Sequence, residues 1–361
     1  MTYRAIGLMS GSSLDGVDLV FASFESKGSA WTYAILASEC VSYDSNWKKR
    51  LSESGQLSAF DYLKLHADYG KYLGQLIKSF MEAYGLDYKV QLIAAHGHTV
   101  FHEPQKGFTH QLGAGSDMAA ITGIPVITDL RSMDIAFGGQ GAPLVPLGEK
   151  KLFSDHSFFL NIGGIANVSV HADKVIGFDV CPANRILNML AEKTGKEYDD
   201  KGAIAKSGKV NTSLLNDLNA LPYYQQSYPK SLSNQFGSDS IIPVLSACTD
   251  SVPDLLCTYT EHIAIQLSRA LQPFLGSADS ENQQLMITGG GAFNDYLIER
   301  IQYYLPSLPV YLPEKEVIQY KEALIMAFLG VLRWREEPTI LSSVTGANQE
   351  SIGGAVWSGH L

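Results

Sequence analysis

A chain of 361 residues, 45% hydrophobic and 18% charged, has the apolar content of an ordinary globular protein and the length of about two domains. A net charge of −10, with no basic run, excludes a general nucleic-acid binder, whose affinity comes from lysine and arginine on phosphates. No apolar stretch reaches the roughly 18 residues of a membrane span. Met1-Thr2-Tyr3-Arg4 leads into a strand pattern rather than a secretion signal, and Cys40, Cys181, Cys248 and Cys257 lack metal or redox spacing, so a cytoplasmic setting is expected.

Strand patterns come first, near 3–10, 17–25 and 31–42, followed by a long helix over about 57–85. Leu73, Leu76, Ile77, Phe80, Met81 and Tyr84 give that helix its three-four apolar spacing. Leu92-Ile93-Ala94-Ala95 predicts a short buried strand ending in His96-Gly97-His98-Thr99. A strand around 109–113, a helix over 116–122 and a strand at 124–127 come next. Gly138-Gly139-Gln140-Gly141-Ala142-Pro143 can only be loop. A second series of strands begins at Phe158-Phe159-Leu160-Asn161-Ile162 and continues through 166–171 and 175–179. Helices are predicted at about 183–194, 211–219 and 254–275. Leu285-Met286-Ile287-Thr288 is a buried strand, a helix has its body from Phe293 to Tyr304, and a last helix covers about 320–337. Each half opens with a meander of strands and then alternates helices and strands, which suits two α/β domains.

Residues 6–18 carry the most chemistry. The run Ala5-Ile6-Gly7-Leu8-Met9 turns through Ser10-Gly11-Ser12-Ser13 and returns as Val17-Asp18-Leu19-Val20-Phe21, a hairpin signature. Gly11 and Gly16 let backbone amides approach an anion, and the hydroxyls of Ser12 and Ser13 add donors. Asp15 and Asp18 are the candidate Mg²⁺ carboxylates, acting directly or through water. An ordinary polar turn is the bland alternative. Asn161-Ile162-Gly163-Gly164-Ile165-Ala166-Asn167 repeats the pattern in the second half. Gly289-Gly290-Gly291, between a strand and a helix that Asn294 precedes, suits a nucleotide held against backbone. Asp179 ends a strand just before a helix. It is a candidate general base, with a helix N-cap as its structural alternative. Asp199-Asp200 could help carry the cation or simply be solvated. The stretch 202–210 imitates a Walker loop but has one residue too many between its glycines, and Val210 where a hydroxyl is required. His96, His98 and His102 read as hydrogen-bonded structural groups rather than zinc ligands.

Taken together, these residues resemble the anhydro-N-acetylmuramic acid kinases over nearly the full chain. The matching segments are 7–18, His96 to Thr99 with His102 and Pro104, Asp129-Leu130-Arg131 with Asp134, 138–146, 161–167, Phe178-Asp179, 288–294, Lys321-Glu322-Ala323 and Val344 to Ala347. The resemblance implies an α/β, two-domain actin-like ATPase fold of the ribonuclease-H-like kind with an interdomain cleft. The first domain would span 1–135, joined by the C-terminal segment 340–361, and the second 136–339. It further implies ATP and Mg²⁺ as cofactors and a small amino-sugar as substrate, with no nucleic-acid or membrane partner and a homodimer as candidate assembly. The reaction implied is hydrolytic opening of 1,6-anhydro-N-acetylmuramic acid and phosphorylation at O6, in cell-wall recycling. Asp179 matches the family's catalytic carboxylate, and Thr99, Arg131 and Glu322 match positions around the sugar. Gly11, Ser12, Ser13, Asp15, Gly16, Asp18, Asn161, Gly163, Gly164, Gly289, Gly290, Gly291 and Asn294 would hold the nucleotide. After the aspartate the family reads Thr-Gly-Pro-Gly-Asn where this chain has Val180-Cys181-Pro182-Ala183-Asn184. His98 stands in place of a usual Gln, and Leu130 in place of an aromatic. A regulatory or chaperone-type ATPase, or a weakly active sugar-binding homologue, is the alternative on the same fold.

Overall fold

The computed structural model describes residues 1–11, 14–28, 30–172, 174–228, 230–232, 235–276 and 283–359. Its strands are β1 (Thr2–Ser10), β2 (Gly16–Lys27), β3 (Ala30–Ser42), β4 (Leu92–Ala95), β5 (His98–Glu103), β6 (Phe108–Leu112) and β7 (Val126–Thr128). They continue as β8 (Phe158–Ile162), β9 (Ile165–His171), β10 (Val175–Pro182), β11 (Leu285–Thr288), β12 (Val310–Tyr311) and β13 (Ala355–Trp357). Two compact units result: residues 1–154 with 320–361, and residues 155–319. The sequence reading set these divisions at 135/136 and 339/340. The second division falls within the continuous helix Lys315–Trp334, where no turn residue marks it.

In the first unit six strands form one sheet in the order β13-β7-β4-β1-β2-β3. Antiparallel pairing joins β1, β2 and β3, whereas β4 runs parallel to β1 and β7 parallel to β4. The core strands are apolar for most of their length: Ala5, Ile6, Val17, Leu19, Val20, Leu92 and Ile93 are fully buried. The helix Ala59–Ala83 starts at Ser58, whose hydroxyl accepts the Asp61 N–H. It buries Leu65, Tyr69, Leu73, Ile77 and Phe80, the stripe expected from three-four spacing. Gly70 is required on that stripe, because a Cβ there would stand 2.6 Å from the Ala114 carbonyl oxygen. Truncating Phe80 would cost about 3–5 kcal/mol on the usual scale for a buried aromatic.

In the second unit the order is β10-β9-β8-β11-β12. Again the first three strands form an antiparallel meander, and β11 and β12 run parallel to the first. Its core joins Phe158, Leu160 and Ile287 of the sheet to Leu256, Tyr259, Ile263 and Leu267 of the helix Val252–Leu271. Both units thus carry the order third-second-first-fourth-fifth with the same strand directions. That duplicated arrangement is the ribonuclease-H-like motif of actin-like ATPases, as the sequence led us to expect. Among the described residues, no helix is long and apolar enough to cross a membrane.

Candidate functional site

The first glycine turn is a true hairpin connection, with Ser10 opposite Val17 and Met9 opposite Asp18. Gly11, Leu14, Asp15 and Gly16 lie in or beside the turn, while Ser12 and Ser13 fall outside the described residues. Asp15 is exposed and Asp18 partly buried on β2. Burial raises the Asp18 carboxyl above its ordinary value; the Cys40 thiol, donating from the facing position on β3, opposes that rise, and the charge of Asp15 adds to it. The same proximity, with burial as the larger cause, pushes the Cys40 thiol up to about 12, so it is no reactive thiolate. The base of the hairpin is fixed by Ser10, whose hydroxyl hydrogen-bonds Tyr43 at 2.7 Å, and by Tyr43 bonding in turn to the buried Tyr69.

Arg131 is placed by a compact turn after β7. Asp129 adopts a positive φ of 54° and its carboxylate accepts the Ser132 N–H, so Arg131 stands at the start of the helix Ser132–Ala136. Its guanidinium donates through Nε and Nη2 to His96 Nε2, at 3.0 and 2.8 Å, and through Nη1 to the Gly141 carbonyl at 2.7 Å. His96 follows β4 directly, its N–H donating to the Leu8 carbonyl. The next residue must be glycine: Gly97 has φ +76°, and a Cβ there would approach the Leu112 carbonyl oxygen to 2.4 Å. The loop 138–143 is held by fully buried Asp134. Its carboxylate accepts the Gly141 N–H at 2.8 Å and the Thr345 hydroxyl at 2.8 Å. Four matched segments, those of His96, of Arg131 with Asp134, of Gly141 and of Thr345, thus form one bonded unit. Burial lowers Arg131 to about 10, still a cation at neutral pH.

Glu322 lies on the helix Lys315–Trp334. Burial raises its carboxyl, the positive charges of Lys321 and Arg131 oppose the rise, and the charges of Asp18 and Glu149 reinforce it. Next to it Lys321 and Glu149, each 3% exposed, form a buried ion pair at 2.7 Å. Asp18, Arg131 and Glu322 therefore share one electrostatic neighbourhood. Thr99 is partly buried on β5, opposite Gln111 of β6.

In the second unit Asn161 and Asn167 face each other across the β8–β9 hairpin, with Gly163 and Gly164 in the turn. β11 lies parallel to β8 with Thr288 beside Asn161, so both glycine segments leave the sheet at the same end. The first of them is held by Asn184, which sequence reasoning had left without a role: its amide Nδ2 donates to the Ile162 carbonyl and its N–H to the Gly163 carbonyl. The same side chain lies against the second, its Oδ1 3.0 Å from where a Cβ on Gly291 would stand. The glycines 289 and 291 are required by closeness: a Cβ would meet Asn161 Oδ1 at 2.6 Å from Gly289 and Ile162 Cγ2 at 2.2 Å from Gly291. Gly290 follows at the start of a 3₁₀ turn, Gly290–Phe293. The α-helix itself begins at Asp295, later than expected, because Asn294 caps it by accepting the Leu297 N–H.

Asp179 is not a helix cap. The helix after it starts at Asn184 and its N-cap is Ala183, so the structural alternative fails. The carboxylate instead sits at a bulge in the β10–β9 ladder, where Oδ2 accepts the Leu232 N–H at 2.9 Å. Burial raises its pKa and that bond only partly opposes the rise. A carboxyl raised in this way is a stronger base once ionised. Val180, Cys181 and Ala183, where the chain departs from the family pattern, are buried in the apolar core. Asp199 is occupied: its two oxygens accept the Ile204 and Ala205 N–H groups. Gly202 of the Walker-like stretch has φ +71° and leaves room for Asn294, whose Oδ1 a Cβ would meet at 2.2 Å.

The family model and the curated relatives name one family over nearly the whole chain. The family model described as anhydro-N-acetylmuramic acid kinase matches residues 3–359. The anhydro-N-acetylmuramic acid kinase of Hydrogenovibrio crunogenus is 34% identical over 368 residues, covering 98% of this chain and 97% of its own. That of Shewanella loihica is 32% identical over 376 residues, covering 98% of each. Among solved structures, an activator of 2-hydroxyisocaproyl-CoA dehydratase from Clostridium difficile aligns at 14% identity with a TM-score of 0.48, covering 92% of this chain and 96% of that one. So distant a likeness leaves the fold assignment to the strand order. By its full-length match, the chain belongs to the anhydro-N-acetylmuramic acid kinase family.

Proposed function

We propose that this protein is an ATP-dependent kinase that opens the 1,6-anhydro bridge of 1,6-anhydro-N-acetylmuramic acid with water and phosphorylates the released O6. The product is N-acetylmuramic acid 6-phosphate, in recycling of the cell wall. The family match over residues 3–359 carries this reading, and the raised, bulge-held carboxyl of Asp179 supports it. In this mechanism Asp179 takes a proton from a water attacking C1. The C1–O6 bond breaks, and O6 attacks the γ-phosphorus of ATP as ADP departs. One water adds, one proton is released to solvent, and the atoms balance.

The Gly163-Gly164 and Gly289-Gly290-Gly291 segments suit the nucleotide, since their backbone can approach it closely. Asn161 and Asn294 shape that place by meeting Gly289 and Gly202. Arg131 is suited to the substrate's lactyl carboxylate, because a guanidinium fork binds a carboxylate through two parallel bonds. Glu322 and Thr99 would contact the sugar. The carboxylates Asp15 and Asp18, beside the Gly11–Gly16 turn, fit a hard cation such as Mg²⁺ that is held partly by water and phosphate oxygens. Among the described residues no group of three or more ligating side chains converges. The ion would neutralise phosphate charge. A cytoplasmic location fits ATP as co-substrate, and a homodimer is the proposed assembly. The test is release of ADP with and without the anhydro-sugar. Release that depends on the sugar supports the kinase, whereas equal release in its absence would favour a regulatory ATPase.

A further inference from the structure

We propose that His96 is a positioning residue for substrate recognition: as a neutral acceptor it aims the guanidinium of Arg131 at the carboxylate of the sugar acid. This deepens the reading of Arg131 given above and rests on it. A guanidinium has five N–H donors in a fixed plane. His96 Nε2 accepts from Nε and from Nη2, and the Gly141 carbonyl accepts from Nη1. Among the described contacts, one N–H then remains on each terminal nitrogen, the number a carboxylate needs for a paired contact.

The tautomer follows from the other side of the ring. His96 Nδ1 lies 2.9 Å from the Gly97 carbonyl oxygen, which can only accept, so Nδ1 carries the proton and Nε2 offers its lone pair. A protonated imidazole could not accept and would set two cations together. Burial, with the Arg131 charge adding, holds His96 down at about 3, so it stays neutral across the physiological range. Gly97, confined by its positive φ and by the Leu112 carbonyl, fixes where that acceptor stands. Arg131, reaching across from a different strand end, is thereby locked in two directions. The contact spans 35 positions of sequence.

The experiment compares two substrates: 1,6-anhydro-N-acetylmuramic acid, and 1,6-anhydro-N-acetylglucosamine, which lacks the lactyl carboxylate. Removing the acceptor in His96→Leu should raise KM for the acid about 10- to 100-fold, the usual worth of an oriented charged hydrogen bond. By the reading of KM against kcat, kcat should stay within about threefold, and so should kcat/KM for the carboxylate-free sugar and KM for ATP. His96→Gln, whose side-chain oxygen can accept in place of Nε2, should restore most of the affinity for the acid. Equal losses on both sugars, or no loss on either, would overturn the proposal. A measurement on the unaltered protein decides the matter even if the leucine variant does not fold. Nitrogen-15 shifts of labelled histidine should show His96 protonated at Nδ1 and bare at Nε2, and a proton on Nε2 would overturn the assignment. Wild-type turnover of the sugar acid reports separately on the kinase reading.

Discussion

Replacing Asp179 by Asn separates base from scaffold, because the side-chain amide oxygen can still accept the Leu232 N–H that the carboxylate accepts at 2.9 Å. Positioned proton transfer is worth about 10²–10⁴-fold. At ~1.4 kcal/mol per tenfold the barrier rises by roughly 3–5 kcal/mol. Stability should move the other way. Burial raises the Asp179 carboxyl above its ordinary 3.8, so the folded protein holds this proton to higher pH than the unfolded chain does. Between the two values the folded state binds more protons, and stability falls as pH rises through that window. At neutral pH the ionised carboxylate therefore costs stability, and Asn removes the cost. The assay is turnover as a function of pH, beside sugar affinity and melting temperature. The wild type should lose kcat/KM as pH falls through the raised pKa, and the variant should be slow at every pH, bind the sugar and melt no lower. Near-normal turnover would remove Asp179 from the mechanism. Slow turnover with a lower melting temperature and lost binding would make it a structural residue.

Further substitutions probe the first unit. Lys321→Met removes the buried cation that Glu149 pairs with at 2.7 Å and should cost about 3–5 kcal/mol in denaturant unfolding, with Lys321→Met/Glu149→Leu recovering most of it. A single variant within experimental error of wild type would contradict the buried pair. Thr345→Val deletes the hydroxyl that donates to buried Asp134 and should cost about 1.5–3 kcal/mol; an unchanged unfolding midpoint would speak against this network. Asp15→Ala and Asp18→Ala should each shift the Mg²⁺ dependence of turnover to higher concentration while leaving melting unchanged, and wild-type titrations in both would dismiss the metal role. In Asp18→Ala the Cys40 thiol should also titrate lower, since it loses an acceptor and a nearby negative charge, although burial remains.

Much of this architecture is legible in the sequence because it is local. Alternating or continuous apolar runs gave β1 to β4 and β8 to β11, and the helix Ala59–Ala83 follows from its own spacing. What escaped lacks local signal. β12 has only two residues and β13 three, and each is a strand by virtue of its neighbour. β5 begins at His98 and contains His102 and Glu103, so its polar residues hid a strand that pairs with β6. The helix Lys315–Trp334 begins about a turn before the predicted 320, in a stretch where Lys315 and Glu316 carry no apolar spacing. In the candidate sites, single segments such as Gly289 to Gly291 were visible as motifs. The bonds that assemble them were not: Asn184 holds the Ile162-Gly163 turn from 21 and 22 positions away, and Asp134 joins loop 138–143 to Thr345, 211 positions away. His96 shows the limit most clearly: it reads from sequence as a hydrogen-bonded structural histidine, which it is, but nothing there shows that its partner is the Arg131 guanidinium.

The most direct test of the kinase account is one turnover of 1,6-anhydro-N-acetylmuramic acid with ATP in water enriched in oxygen-18, read by mass spectrometry of the sugar phosphate beside the yield of ADP. The account predicts one ADP per sugar opened, a single heavy oxygen at C1, and an unlabelled O6 bearing the phosphate. ADP formed without sugar opening, or a label found at O6 rather than C1, would contradict it.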